Sequence, residues 1–293
     1  FIMFLRVAIP DSSFDTLNYH IYLQENLFED NVNYNFFPGR WQNTFSLPLG
    51  DRLHYFFRLI LGYRMGMIFN MLCLIVVYYQ LKRFLSKFIK KENIICIFSF
   101  AIIITEQLLT NMITYYVDLF VIPIFLEIII MLFEKEKDRI NNYFTLLLAG
   151  IAISLKVSNA ILLIPLAIVY LYKYRKTINY KTFLIGIPLF ILPFAVYMIN
   201  NYVQTGNPVF PFYNHIFKSD YAGLENWVED AYGPKTFIER IFWPIFTIIN
   251  PRRTFDSNIY YGRIAFGYIF SLIAIVIALY KYFVKNNKCD YLY

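Results

Sequence analysis

"TFLIGIPLFILPFAVYMIN" occupies residues 182–200 and carries no charged side chain. As a helix rising 1.5 Å per residue, this run reaches about 28 Å, close to the roughly 30 Å hydrocarbon core of a bilayer. It reads as a membrane-spanning helix. Further apolar runs stand at 63–81, 94–110, 117–133, 143–157, 160–172 and 264–283. The runs at 143–157 and 160–172 are short and are separated by Lys156, Ser158 and Asn159. They form either a tight helical hairpin or one bent pair.

Composition agrees with this reading. The 293 residues are 58% hydrophobic and 20% aromatic, with a mean hydropathy of +0.48. Soluble domains average about 45–50% apolar. The 31 phenylalanines and 26 tyrosines suit a chain with many rings at the water–lipid boundary. The net charge of +7 does not indicate nucleic acid, because the basic residues cluster in short loops between apolar runs. Cys73, Cys96 and Cys289 form neither a CxxC pair nor a metal-ligand spacing, so no disulfide framework is expected. His20, His54 and His215 are far apart and lack an HExxH spacing, and no Walker A, GxGxxG or GxSxG motif occurs.

The loops set an orientation. "KRFLSKFIKKEN" (82–93) has five basic residues against one acid, "KYRKTINYK" (173–181) four against none, and the tail after 280 adds three. The positive-inside rule makes these segments cytoplasmic. The balanced loop "EKEKDRINN" (134–142) falls on the same side by alternation. The long segments 10–62 and 201–262 then lie outside, with the turn 106–116 and the break at 156–159. The expectation is a single integral membrane domain over 1–293, incomplete at one or both ends. The first nine residues are too few to cross a bilayer core.

On the outer side, "FDTLNYHIYLQENL" (14–27) concentrates polar groups just past the N-terminal stub. At 100° per residue, Asn18, Tyr19, Tyr22, Glu25, Asn26 and Glu29 fall within about 80° of Asp15. That predicts an amphipathic helix along the outer membrane surface, begun by the turn at "PDSS", with His20 about 140° away among the apolar residues. Asp15 there is either a general base or metal ligand, or a solvated helix-start residue. Asp118, in "TYYVDLF", re-enters the membrane after Glu106; a carboxylate at that depth is costly and suggests function, or else favours a helix dipole. Glu127, deeper in the same run, reads as a bundle-facing hydrogen-bond partner. Gly206, Pro208 and Pro211 give "TGNPVFPFYN" (205–214) a tight turn, flanked by aromatics fit for a sugar or for the interface. Outer arginines (Arg40, Arg52, Arg58, Arg64, Arg240, Arg252 and Arg253) run against the positive-inside bias. The Arg252–Arg253 pair could hold a phosphate or a lipid headgroup.

Taken in order, "DTLNYH", "YYVDLF", "LKVSNAILLIPLAIVYL", "TGNPVFPFYN" and "GRIAFGYIFSLIAI" resemble the polytopic GT-C glycosyltransferases, the family 39-like and aminoarabinose-transferase-like bacterial enzymes. The resemblance spans nearly the whole chain. It implies an all-α polytopic GT-C-like bundle of about 7–9 spans with outer-face interfacial helices. It also implies a bacterial inner-membrane, cell-envelope transferase whose site faces the periplasm. The donor would be a polyprenyl-phosphate-linked sugar and the acceptor a lipid-linked glycan, lipid or protein. Asp15 would be the general base, and Asp118 would bind the acceptor, a divalent metal or the reaction centre. Glu106, Tyr19 and His20 would contact substrate. Lys156, Arg252 and Arg253 would neutralise the departing lipid phosphate. Two other classes fit the composition: an O-antigen polymerase or ligase, and a lipid or sugar transporter without catalysis.

Overall fold

The computed structural model describes residues 8–11, 13–28, 49–134, 139–175, 180–225, 233–250, 253, 271–273, 275–277 and 280. Every regular element among these is helical, and no strand occurs among the described residues. The chain divides into two compact units, Phe1–Asn226 and Trp227–Tyr293.

In the first unit a π-helical turn, Thr16–His20, runs directly into α1 (Ile21–Phe28). There follow α2 (Leu49–Leu61), α3 (Ile68–Leu85), α4 (Glu92–Ile103), α5 (Glu106–Met112), α6 (Asp118–Phe133), α7 (Arg139–Leu155), α8 (Asn159–Tyr174), α9 (Tyr180–Thr205) and the single turn α10 (Asn214–Phe217). Most apolar runs become helices within a few residues of their expected limits. The run at 94–110 does not remain whole. It breaks at Ile104–Thr105, so Glu106 opens a separate short helix instead of closing a span. The region 155–159 is a tight hairpin turn: Leu155 ends α7, Lys156 is non-helical, and Asn159 starts α8. Among the described residues, only α3 and α9 are both long and apolar enough to cross a membrane; α4, residues 141–155 of α7, and α8 are shorter apolar helices.

The long helices alternate in direction. Arg83, near the end of α3, pairs with Glu127 of α6, while Asn70, near the start of α3, reaches the carbonyls of Asn111 and Thr114 just before α6 begins. Lys173, at the end of α8, donates to the carbonyls of Leu132 and Glu134 at the end of α6, the latter at 3.0 Å. The unit therefore has two ends. One carries Lys82, Arg83, Lys87, Glu127, Glu134 and Lys173; the other carries the N-terminal helix, Asp118 and Lys156. Glu127 takes the hydrogen-bonding place expected of it, accepting from Gln80 at 2.9 Å and from Arg83.

Polarity is inverted relative to an aqueous globule. Thr16, Gln24, His54, Asn70 and Ser154 are fully buried. By contrast α9 exposes an apolar face from Leu184 (68% exposed) through Leu192 and Val196 to Val203 (77%), and α8 exposes Ile161, Ile164 and Ile168. Helix contacts are close where small residues permit it. A Cβ added at Gly150 of α7 would lie 2.1 Å from the Phe190 carbonyl oxygen of α9, which is backbone and cannot swing away. A Cβ at Gly186 of α9 would lie 2.4 Å from Cδ1 of the Leu146 side chain of α7. Small residues at such crossings let backbones approach and gain dispersion contact. Gly150→Leu should therefore destabilise the first unit by roughly 1–3 kcal/mol or more, the range for overpacking. Thermal unfolding of the detergent-solubilised variant checks this.

Candidate functional site

The polar end of the first unit is built around residues 11–20. Asp11, 5% exposed, accepts four hydrogen bonds. Its Oδ1 takes the Ser13 backbone N–H (2.9 Å) and Ser13 Oγ (2.7 Å); its Oδ2 takes Thr16 Oγ1 (2.7 Å) and the Tyr115 backbone N–H (3.0 Å). One carboxylate thus fixes the start of the N-terminal helix and ties it to the turn that leads into Asp118. From the opposite side the Asn70 amide donates to the carbonyls of Asn111, Thr114 and Tyr116 at 3.0, 2.8 and 3.2 Å.

The N-terminal helix opens with a π-turn, in which the Ile21 N–H reaches back five residues to the Thr16 carbonyl. His20 does not sit among apolar neighbours, as a 100° spacing predicts. It is 4% exposed, and its Nδ1 lies 2.8 Å from Asp51 Oδ1 of α2. Its ring packs 4.2 Å from that of Tyr19 and 6.1 Å from that of Tyr116. Of the expected polar stripe, Asp15, Asn18, Tyr19 and Tyr22 are half-buried and Glu25 is exposed. Thr16, His20 and Gln24 face inward, while Phe14 and Leu17 are 50% and 58% exposed.

Tyr19 gathers the acids. Burial pushes its phenol well above the usual value, and the negative charges of Asp15, Asp51 and Asp118 push it further in the same direction. The hydroxyl stays protonated and lies within hydrogen-bond reach of Asp15. Asp15 itself is half-buried, so its carboxylate is accessible from one side. Asp118 begins α6 and is paired with Lys156 Nζ at 2.9 Å, both side chains close to half exposed. An exposed pair of this kind contributes little to stability, about 0–1 kcal/mol. Gly50, beside Asp51, has no room for a side chain, because a Cβ there would lie 2.5 Å from Val117. That contact seats α2 against the start of α6.

His54, one turn beyond Asp51, is fully buried with no hydrogen-bond partner on either ring nitrogen. Burial, with a smaller push from the nearby His20, lowers its pKa to about 3, so it is a neutral packing residue between Tyr115 and Phe120. Among the described residues no three His, Cys, Asp or Glu side chains converge as a metal-binding set.

Arg252 lies outside the described residues, as does the Glu106 side chain. Arg253 belongs to the second unit and is already engaged. It forms a bidentate pair with Glu239 (Nη1–Oε1 2.9 Å, Nη2–Oε2 3.0 Å), donates to the Gly233 carbonyl at 2.6 Å, and lies over the Trp243 ring at 5.6 Å. Glu239 in turn completes a capping box with Thr236 at the start of α11 (Phe237–Ile241), which precedes α12 (Trp243–Ile249). Arg253 is thus held as a structural staple, and this geometry lends no support to the phosphate role expected of it. In the turn 205–214, buried asparagines rather than the prolines make the fastenings: Asn207 bonds Val209 N–H and the Phe212 carbonyl, each at 3.0 Å, and Asn214 bonds Ser219 and Ala222.

Asp11 and Asp51 escaped the sequence reading. "PDSS" did signal a helix start, but nothing local shows that its aspartate reaches residue 115. Asp51 is 31 positions from His20, and no spacing rule joins them.

The fold and site together define an all-helical protein with one polar, aspartate- and histidine-bearing end. Residues 55–293 match the family described as a domain of unknown function, DUF8201, and the chain belongs to that family. No curated protein and no solved structure matches it. The matched stretch includes Asp118 and Lys156; Asp11, Asp15, His20 and Asp51 precede it.

Two outcomes are expected. Asp11→Ala leaves buried donors at Ser13, Thr16 and Tyr115 unpaired, costing about 1–3 kcal/mol for each group stranded. It should lower the unfolding temperature and expose residues 8–28 to protease, whereas Asp11→Asn should lose less. Arg253 holds the Glu239 carboxyl down to about 2 from its usual 4.5, with backbone N–H groups assisting. A lowered carboxyl pKa stabilises above the unfolded value and is lost as pH falls through the folded one. Trp243 fluorescence in a Trp41→Phe, Trp227→Phe background should therefore hold steady above pH 4.5 and change as pH approaches 2.

Proposed function

We propose that the chain is a polytopic membrane glycosyltransferase of GT-C type. It moves a sugar from a polyprenyl-phosphate carrier to an acceptor hydroxyl at the outer face of a bacterial inner membrane. The observation that carries this reading is the gathering of Asp15, Tyr19, the His20–Asp51 pair and Asp118–Lys156 at one end of the unit, with the basic residues Lys82, Arg83, Lys87 and Lys173 at the other.

Further features support a membrane setting. Apolar side chains are exposed along α8 and α9, while polar ones are buried. Large contiguous apolar surface marks contact with a partner or with lipid. Pro165, Pro188 and Pro193 lie inside helices, where membrane spans tolerate them better than soluble helices do. The short helices α4, α7 and α8 would pack beside α3 and α9 to complete a bundle of about 7–9 spans, with the run at 264–283. The segregation of charge supports an outward-facing aspartate-bearing end.

In the proposed reaction, the acceptor oxygen attacks the anomeric carbon as the bond from that carbon to the carrier phosphate oxygen breaks. Asp15 accepts the hydroxyl proton. The Tyr19 hydroxyl, kept protonated by burial, orients the Asp15 carboxylate. Lys156 meets the negative charge that grows on the departing phosphate, and Asp118 holds Lys156 in position. A divalent metal beside Asp118 would serve the same end.

The test is transfer of labelled sugar from polyprenyl-phosphate donors by purified protein in liposomes. Asp15→Asn should lower the rate by about 10²–10⁴-fold, the usual contribution of a general base, while insertion and unfolding temperature stay unchanged. Full activity in that variant would remove Asp15 from the mechanism.

A further inference from the structure

Between α7, α8 and α9 lies a groove of about 340 Å³ that the proposed reaction does not use. Leu163 and Tyr170, on one side of α8, are buried at its floor. Ile164 and Ala167 of the same helix also line it and are exposed, so the groove opens sideways onto the apolar surface of α8. Its volume falls in the range of small-molecule sites, about 300–1,000 Å³.

Only two of the lining residues, Thr145 and Tyr170, have polar side-chain atoms, and both stand near the basic end of the unit. Thr145 Oγ1 lies 3.5 Å from Met131 Sδ, and Tyr174, one turn after Tyr170, donates to the Met131 carbonyl at 3.4 Å. Thr145 Oγ1 is satisfied by the Asn141 carbonyl at 2.8 Å. The Tyr170 hydroxyl is not. It is buried and has no hydrogen-bond partner among the described residues. Leaving a buried hydroxyl unpaired is costly, so an occupant that brings an acceptor to that end is favoured.

A hydrocarbon chain with one carbonyl at its head meets both conditions, with carbon along the trough and oxygen at Tyr170. The acyl ester of a membrane glycerolipid has that form. A helix of a second copy could cover the same surface, but its carbonyls are bonded within the helix and would leave the hydroxyl stranded. From Tyr170 to Ala160 the groove follows about 15 Å of α8. In the proposed orientation the Tyr170 end, three residues before Lys173, lies on the cytoplasmic side.

We propose that this groove is a lipid site. It seats one acyl chain of an inner-leaflet glycerolipid, and the Tyr170 hydroxyl donates to the ester carbonyl of that chain. The ester end of the site lies opposite the aspartates. This rests on the bilayer setting and orientation of the proposed function, and not on its transfer chemistry.

The experiment is native mass spectrometry of the delipidated full chain in detergent, titrated with a diacyl phosphatidylethanolamine or with its diether analogue. The analogue has the same chains and headgroup but no carbonyl. One diester lipid should bind per chain, about two- to tenfold more tightly than the diether, the usual net worth of a neutral hydrogen bond. Tyr170→Phe should remove that preference while leaving the diether affinity unchanged, which loss of packing alone would not do. Ala167→Phe fills the groove and should weaken both lipids. Equal affinity for diester and diether, or a preference that survives Tyr170→Phe, overturns the role of Tyr170. Indifference of both lipids to Ala167→Phe overturns the groove as the seat. A dimer that Ala167→Phe dissociates, with no lipid bound, assigns the groove to a second copy and overturns the lipid site. A chain that binds the lipid but transfers no sugar upholds the site and removes the transferase reading alone.

Discussion

Asp11 holds the polar end of the protein together with a single buried carboxylate. Two of its acceptor bonds close the turn before the N-terminal helix, the third pins Thr16 inside the π-turn, and the fourth reaches the Tyr115 N–H at the entry to α6. Buried charge is costly unless hydrogen bonds replace the lost hydration, and here both oxygens are supplied twice. The arrangement sets the heights of Asp15 and Asp118 relative to each other, since one follows the Asp11 turn by four residues and the other follows Tyr115 by three. The Asn70 amide locks the second of these turns from behind. Neither Asp15 nor Asp118 takes part in these bonds of Asp11 and Asn70.

The interior polar residues and exterior apolar ones are two sides of one constraint. In the proposed bilayer setting, helices gain little from hiding apolar surface, because lipid chains are as apolar as leucine. Cohesion comes instead from close backbone approach, as at Gly150 against Phe190, and from buried amide and carboxylate bonds. Asn159 repeats the theme at the α7–α8 break, donating to the Ala152 carbonyl at 2.9 Å. That bond ties the turn bearing Lys156 to the end of α7. The charge that would meet a departing phosphate is thereby carried on a braced turn.

Much of the helix layout was legible because long uncharged runs permit little else. The runs at 63–81, 117–133, 143–157, 160–172 and 182–200 correspond to α3, α6, α7, α8 and α9. The alternation of basic and acidic ends was likewise readable from loop charge. The break at Ile104–Thr105 was not, because an apolar run shows no sign of where its backbone turns. His20 was misread for a different reason. The face opposite Asp15 is buried, and nothing local shows that Asp51 of α2 meets His20 there. The role of Asp51 depends on a contact across 31 positions of chain, where spacing rules carry no information. Arg253 shows the converse hazard: an arginine pair suggested anion binding, while the acid that occupies Arg253 stood only fourteen residues upstream.

The account turns on the aspartate-bearing end facing outward across a membrane, and sidedness can be measured directly. Single cysteines would be placed at Asp220 and Ile178 in a background with Cys73, Cys96 and Cys289 replaced, and intact cells treated with a membrane-impermeant thiol reagent. Labelling at 220 and protection at 178 until the cells are opened is the result the account predicts. Labelling at 178 with protection at 220 would turn the site to the cytoplasm and contradict it.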